Sequence, residues 1–103
     1  MAQVVWTPSA RADLDAIHDY IAIESPRAAL AVVLRVLRHV DQLIRHPDSG
    51  SWLPELGRSR YRQLVEPPCR IFYRRDGSFV SILHVFRFER VLDVRRLEDA
   101  LDE

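Results

Sequence analysis

Residues 61–87 read YRQLVEPPCRIFYRRDGSFVSILHVFR, and the punctuation of this stretch decides the fold. Three strand-like runs, Tyr61–Val65, Cys69–Arg74 and Phe79–Phe86, are parted by Pro67-Pro68 and by Asp76-Gly77. Proline has no N–H to give a ladder, so the pair interrupts one. Asp-Gly between apolar runs is a strong hairpin signal, because both residues tolerate positive φ. The spacing predicts a three-stranded antiparallel meander. An antiparallel sheet with one wet face alternates apolar and polar residues. Phe79, Val80, Ile82, Leu83, Val85 and Phe86 do not alternate. Both faces are therefore expected to be covered, the second by the chain's own ends or by a partner.

Upstream, Gln3–Trp6 is a short strand candidate. Thr7-Pro8 and Ser25-Pro26 each place a hydroxyl N-cap before a proline at the first helical position. The first helix is expected to run to Ile23 or Glu24, with Ala10, Leu14, Ile17 and Ile21 on one face. Asp13 and Asp15 lie toward its N-terminus, where the helix dipole favours negative charge. The second helix is expected over Pro26 to about Arg45. Its main stripe is Leu30, Val33, Leu37, Val40 and Ile44, widened by Ala29, Val36 and Leu43. The short connection predicts an antiparallel αα-hairpin, packed on the sheet rather than in a coiled coil. His46-Pro47 stops the second helix. Pro47–Ser59 reads as a loop, rich in Pro, Gly and Ser, tucked in by Trp52 and Leu53. Downstream, Val91–Leu101 has helical spacing through Val94, Leu97 and Leu101. The order β-α-α-β-β-β-α is an α+β fold with the hairpin on one sheet face.

A chain of 103 residues fits a single domain spanning residues 1–103. No apolar run approaches the ~20 residues that span a bilayer. The N-terminus lacks the basic start and apolar middle of a secretory leader. Cys69 is the single cysteine, so neither an internal disulfide nor a cysteine-rich zinc site is expected. His18, His39, His46 and His84 show no metal-ligand spacing, and no metal or cofactor is expected. A cytoplasmic protein without a membrane partner is the simplest expectation.

The formal net charge is zero, yet the charges are unevenly placed. Residues 58–90 hold eight arginines against Glu66, Asp76 and Glu89, a local excess of five positive charges. All 15 basic residues are arginine. Arginine suits phosphate and carboxylate forks, although genomic base composition explains its exclusive use equally well. The clustering points to an anionic partner. Arg60, Arg62, Arg70, His84, Arg87 and Arg90 are the candidate binding residues. Arg60, Arg62, Arg70 and Arg87 would hold such a partner if they met on one sheet face. The competing explanation is solvated edge and rim charge, which suits Arg74 and Arg75 beside the turn. His84 has the pKa range for proton transfer; its plainer role is a half-buried histidine with one hydrogen bond. Tyr61 and Tyr73 read as packing residues with satisfied hydroxyls.

Four segments together carry a family resemblance: WTPSARADLDAIHDYIA, HPDSGSWLPELG leading into RYRQL, CRIFYR, and ILHVFRFERVLD. In this order and at these separations the chain resembles the RelE/ParE superfamily of bacterial type II toxins. That resemblance implies one of two activities. RelE-like members cut messenger RNA on the ribosome, whereas ParE-like members inhibit DNA gyrase without nuclease chemistry. Both are neutralised by an antitoxin that wraps the toxin. A metal-free ribonuclease must activate a 2′-hydroxyl, stabilise a phosphorane and protonate a leaving oxygen. Arg62 and Arg70 match two of the RelE branch's basic positions. A second basic position on the first meander strand falls on Leu64. Phe88 stands where a catalytic arginine is expected, and the late tyrosine falls on or near Val94. The resemblance therefore implies a ParE-like gyrase binder with a ParD-like antitoxin. It implies no catalytic residue and no sequence-specific nucleic-acid binding by the toxin alone. The alternatives are a RelE-like endonuclease using Arg62, Arg70, Arg87 and His84, or a non-toxic module that only binds its antitoxin.

Overall fold

Both proline-led helix starts form as their sequences dictate. In the computed structural model, which describes residues 1–90 and 94–102, the Thr7 hydroxyl accepts from Ala10 N and opens α1, Pro8–Ala22. The Ser25 hydroxyl accepts from Ala28 N and opens α2, Pro26–Asp41. A 3₁₀ turn over Gln42–Ile44 follows α2, so the regular helix ends before the expected Arg45. The strands are β1 (Gln3–Trp6), β2 (Ser51–Leu53), β3 (Gly57–Glu66), β4 (Cys69–Asp76) and β5 (Phe79–Arg87), and α3 covers Val94–Asp102. The expected helix start at Val91 lies outside the described residues.

The meander β3-β4-β5 is antiparallel as predicted. It is the centre of a five-stranded sheet in the order β1-β5-β4-β3-β2. Two features extend the sequence-based expectation. The loop expected over Pro47–Ser59 contains β2, antiparallel to β3. β1 pairs parallel with β5, Gln3 opposite Phe79 and Trp6 opposite Ile82. The β4–β5 turn also differs in detail. Asp76 pairs with Phe79, leaving Gly77-Ser78 as the two loop residues. Gly77 has φ of 60° and Ser78 does not have positive φ. Glycine at the first central position is what a type II′ turn requires.

Two hydrophobic cores flank the sheet. On one face, α1 and α2 pack through Ala10, Leu14, Ile17, Val32, Val36 and Val40 onto Leu64, Ile71, Tyr73, Val80, Ile82 and Val85. On the other, Leu97 and Leu101 of α3 close over Leu53, Tyr61, Phe72, Leu83 and Phe86. The chain's own C-terminal helix thus covers the second face. A β-bulge gives β5 its two-sided character, since Phe72 pairs with His84 while the adjacent Tyr73 pairs with Ile82, and Leu83 is the extra residue.

The packing face of α2 differs from the expected stripe. Its buried residues are Ala29, Val32, Val36 and Val40, with Leu43 in the turn that follows. Leu30, Leu34 and Leu37 are 55%, 40% and 39% exposed. Apolar residues surround more than half of this helix, so periodicity alone does not select a face. The sheet takes the row of small and β-branched side chains, which allows close approach, and leaves the leucines outside.

Candidate functional site

The six candidate residues do not converge on one point. Arg60 lies on β3 with its guanidinium 5.2 Å from the Tyr61 ring centre and Nη2 3.5 Å from the Asp102 carboxylate. Arg62 stacks 3.8 Å over Trp52 and donates from Nη1 to Gly50 O at 2.9 Å. Arg70 is held at every nitrogen. Its Nη1 and Nη2 each donate to Glu55 at 2.7 Å, and its Nε donates to Gln63 Oε1 at 2.9 Å. Arg87 lies 4.2 Å from the ring centre of Tyr20 on α1, and Arg90 lies 4.0 Å from that of Phe86. Arg60, Arg70 and Arg90 stack on rings of the α3-side core, whereas Arg87 turns to α1.

Among the described residues, four arginines of this basic segment are paired with acids from elsewhere in the chain, and Arg74 and Arg87 with acids of the segment itself. Arg60 meets Asp102, Arg62 and Arg75 meet Asp48, Arg70 meets Glu55, and Arg87 meets Glu89. Asp48, Glu55 and Asp102 therefore answer part of the local charge excess in three dimensions, which weakens it as a track for a polyanion. Arg70 also holds the Glu55 carboxyl below the usual carboxylate range, by hydrogen bonding first. Such a pair stabilises the fold above the unfolded carboxyl's pKa and loses that contribution as pH falls through the lowered value. Replacing Glu55 by glutamine is expected to cost about 1–2 kcal/mol in urea unfolding at neutral pH; no loss would show that the bridge contributes nothing.

His84 belongs to a partly buried relay that joins three elements. Its Nδ1 lies 2.7 Å from Asp13 Oδ2 on α1, and its Nε2 lies 3.1 Å from Ala100 O on α3. The same Asp13 oxygen accepts from Val85 N at 3.0 Å. β1 ends opposite Ile82, so the backbone of β5 beyond it needs other acceptors and donors. Asp13 supplies the acceptor for Val85 N, and the Thr7 hydroxyl lies 3.3 Å from Leu83 O beside its 2.7 Å bond to Ile82 O. Asp13 is therefore a fixed acceptor, not the dipole-complementing charge its sequence position implied. Its hydrogen bond raises the His84 pKa, against the opposing effect of burial.

The sign of the resulting pH dependence follows. A raised folded pKa stabilises the protein below the unfolded value of about 6.5 and ceases to do so as pH rises through the folded value. The stability difference between the native chain and His84→Gln is expected to shrink across that window. Urea titrations from about pH 5.5 to 8.5 measure it, and a difference that grows with pH contradicts the assignment.

The positions that a RelE-type ribonuclease would need carry hydrocarbon. Leu64 is 4% exposed under the helices, while Phe88 and Val94 are 46% and 45% exposed. Among the described residues, no group of three or more His, Cys, Asp or Glu side chains is placed to hold a metal. Burial raises the pKa of the Cys69 thiol, the opposite of what a nucleophile needs.

Residues 4–92 match the family described as "ParE toxin of type II toxin-antitoxin system, parDE". The chain belongs to the ParE toxin family. Toxin RelE2 of Caulobacter vibrioides is 42% identical over 91 residues, covering 84% of this chain and 99% of its own. A solved structure titled "Chromosomal ParDE TA system from P. aeruginosa" superposes with a TM-score of 0.67 at 32% identity, covering 86% of this chain and 98% of that one. The ParE-family match includes all of the sheet except Gln3, the helical hairpin, Asp13 and five of the six arginine and histidine candidates on β3 to β5. The sixth, Arg90, follows β5 and is also within it. Sequence reading missed Asp13, Glu55 and Tyr20 as partners of these residues, because each acts across a long stretch of chain.

Proposed function

We propose that the chain is a ParE-like toxin that inhibits DNA gyrase by binding, without catalysis, and is neutralised by a ParD-like antitoxin. The observation that carries this reading is the hydrocarbon at Leu64, Phe88 and Val94 together with the bidentate engagement of Arg70 by Glu55. Phosphoryl-transfer catalysis without metal depends on cations and proton donors aimed at the reacting phosphate. Here two cationic positions and one phenol are replaced, and the remaining central arginine is occupied. Purified toxin is expected to inhibit gyrase supercoiling at micromolar concentration, with relief by antitoxin. Uninhibited supercoiling alongside arrested growth would reject it. The RelE name of the Caulobacter relative favours a second reading, ribosome-dependent messenger RNA cleavage. Cleavage on programmed ribosomes, lost in Arg70→Ala, would establish that alternative.

The antitoxin's seat is best served by the outer face of the hairpin. Leu30, Leu34 and Leu37 form an exposed apolar row on α2. Beside it, Trp6, Leu14, Val33 and Leu37 line a groove of about 500 Å³ edged by Arg11 and Asp15. Such a row fits the apolar face of an amphipathic helix. A Leu34→Glu variant is expected to fold normally and to bind antitoxin at least ~10-fold more weakly, since it places charge in the apolar contact. Undiminished affinity in calorimetry would move the seat elsewhere.

A further inference from the structure

A second cavity, of about 310 Å³, opens on the other side of α1, against the C-terminal end of β5. Its floor is apolar, formed by the buried Ile17, Val85 and Phe86, and its rim carries Ala16, Tyr20, Arg87 and Arg90. The volume is at the lower end of the ~300–1,000 Å³ that ligand sites occupy. Three observations give it a chemistry. Arg87 Nε is buried and has no hydrogen-bond acceptor. A buried donor left unpaired calls for a ligand or an explanation. The Arg87 guanidinium is positioned on the Tyr20 ring, so its fork is pre-aimed rather than free to sweep solvent. Its Nη2 is paired with Glu89, an exposed carboxylate from the adjacent turn. Glu89 therefore occupies one arm of a fork whose other donor has no acceptor.

We propose that this cavity receives an acidic–apolar segment of a protein partner, with a carboxylate displacing Glu89 to bind Arg87 through Nε and Nη2. An aliphatic side chain of the segment fills the floor between α1 and β5. The bidentate geometry satisfies the buried Nε, which a single contact at Nη2 leaves unsatisfied. A nucleic-acid strand fits less well, because Asp13 and Glu89 line the same cavity and would face successive phosphates. The site is separate from the α2 leucine row and does not depend on gyrase being the toxin's target.

The test is a nitrogen-15 NMR titration of the full chain with N-acetyl-leucyl-glutamyl amide, set beside its glutaminyl counterpart. The glutamyl peptide is expected to bind with affinity on the order of millimolar, as befits a fragment. It should shift the Arg87 Nε–H signal and the Tyr20 and Phe86 signals. The glutaminyl peptide should bind at least ~5-fold more weakly, having lost a charge-assisted pair. Glu89→Gln should tighten glutamyl-peptide binding by roughly threefold, because the internal competitor is gone. Arg87→Gln should abolish it. Absence of shifts at about 20 mM, equal binding of the two peptides, or an affinity unchanged in Glu89→Gln would each overturn the proposal. The Glu89→Gln comparison decides the matter even where Arg87→Gln fails to fold.

Discussion

Replacing Gly50 by alanine is expected to remove about 3 kcal/mol of stability, at the upper end of what overpacking a tight site costs. A Cβ at this position would sit 2.5 Å from Tyr73 Oη, 2.6 Å from Gln63 O and 2.6 Å from Tyr73 Cε1. One of those atoms is backbone of β3, and the others belong to a side chain with no exposed surface in the first core. Neither has room to retreat. The displacement would also break a buried hydrogen bond, because Gly50 N donates to Tyr73 Oη at 2.9 Å. The tyrosine hydroxyl would then lose its partner inside the protein, a loss with its own penalty. Gly50 O additionally accepts from Arg62, so the strain reaches the Arg62–Trp52 stack. Equilibrium urea unfolding measures the change; a loss under about 0.5 kcal/mol would show that the segment before β2 yields freely.

Asp13→Ala is expected to have a loss of similar size, about 3 kcal/mol, for a different reason. It removes the acceptor of Val85 N and the partner of His84 in one step. Beyond the end of β1 the Val85 N–H has no strand beside it to take over. The imidazole, 14% exposed at its side chain, would lose the carboxylate that favours its charged form. Since His84 also contacts Ala100 O, the damage should spread to α3. Hydrogen exchange should quicken at Val85 and along α3, while α2 stays protected. Asp13→Asn should recover part of the loss, because its amide oxygen still accepts from Val85 N but does not offer a full charge to the histidine. Identical behaviour of the two variants would assign the effect to packing instead.

What the sequence made legible was local. Thr7-Pro8 and Ser25-Pro26 announce α1 and α2 because caps and proline act within a turn. Pro67-Pro68 and the glycine at 77 mark the meander for the same reason. β2 was hidden because its three residues lie among Pro, Gly and Ser and pair only through β3. The face of α2 was misassigned because its apolar residues outnumber the positions the sheet accepts. At the candidate site, arginine clustering identified the right side chains but not their neighbours. Glu55, Asp102 and Asp48 sit in loops or ends, where nothing in the local sequence reveals that they pair with arginines on the strands. The Asp13–His84 relay crosses 71 positions of chain, a separation that periodicity does not see.

The parallel partnership of β1 with β5 has a bearing on synthesis. The Thr7 hydroxyl reaches Ile82 across 75 residues, and Gln3 has nothing to pair with until Phe79 exists. Contacts of such sequence span form late, since the closure of the intervening chain must be met before they stabilise anything. The residues of the helical hairpin are therefore made before the strand that gives β1 its partner. The β1 edge of the five-stranded order closes only once β5 has been made.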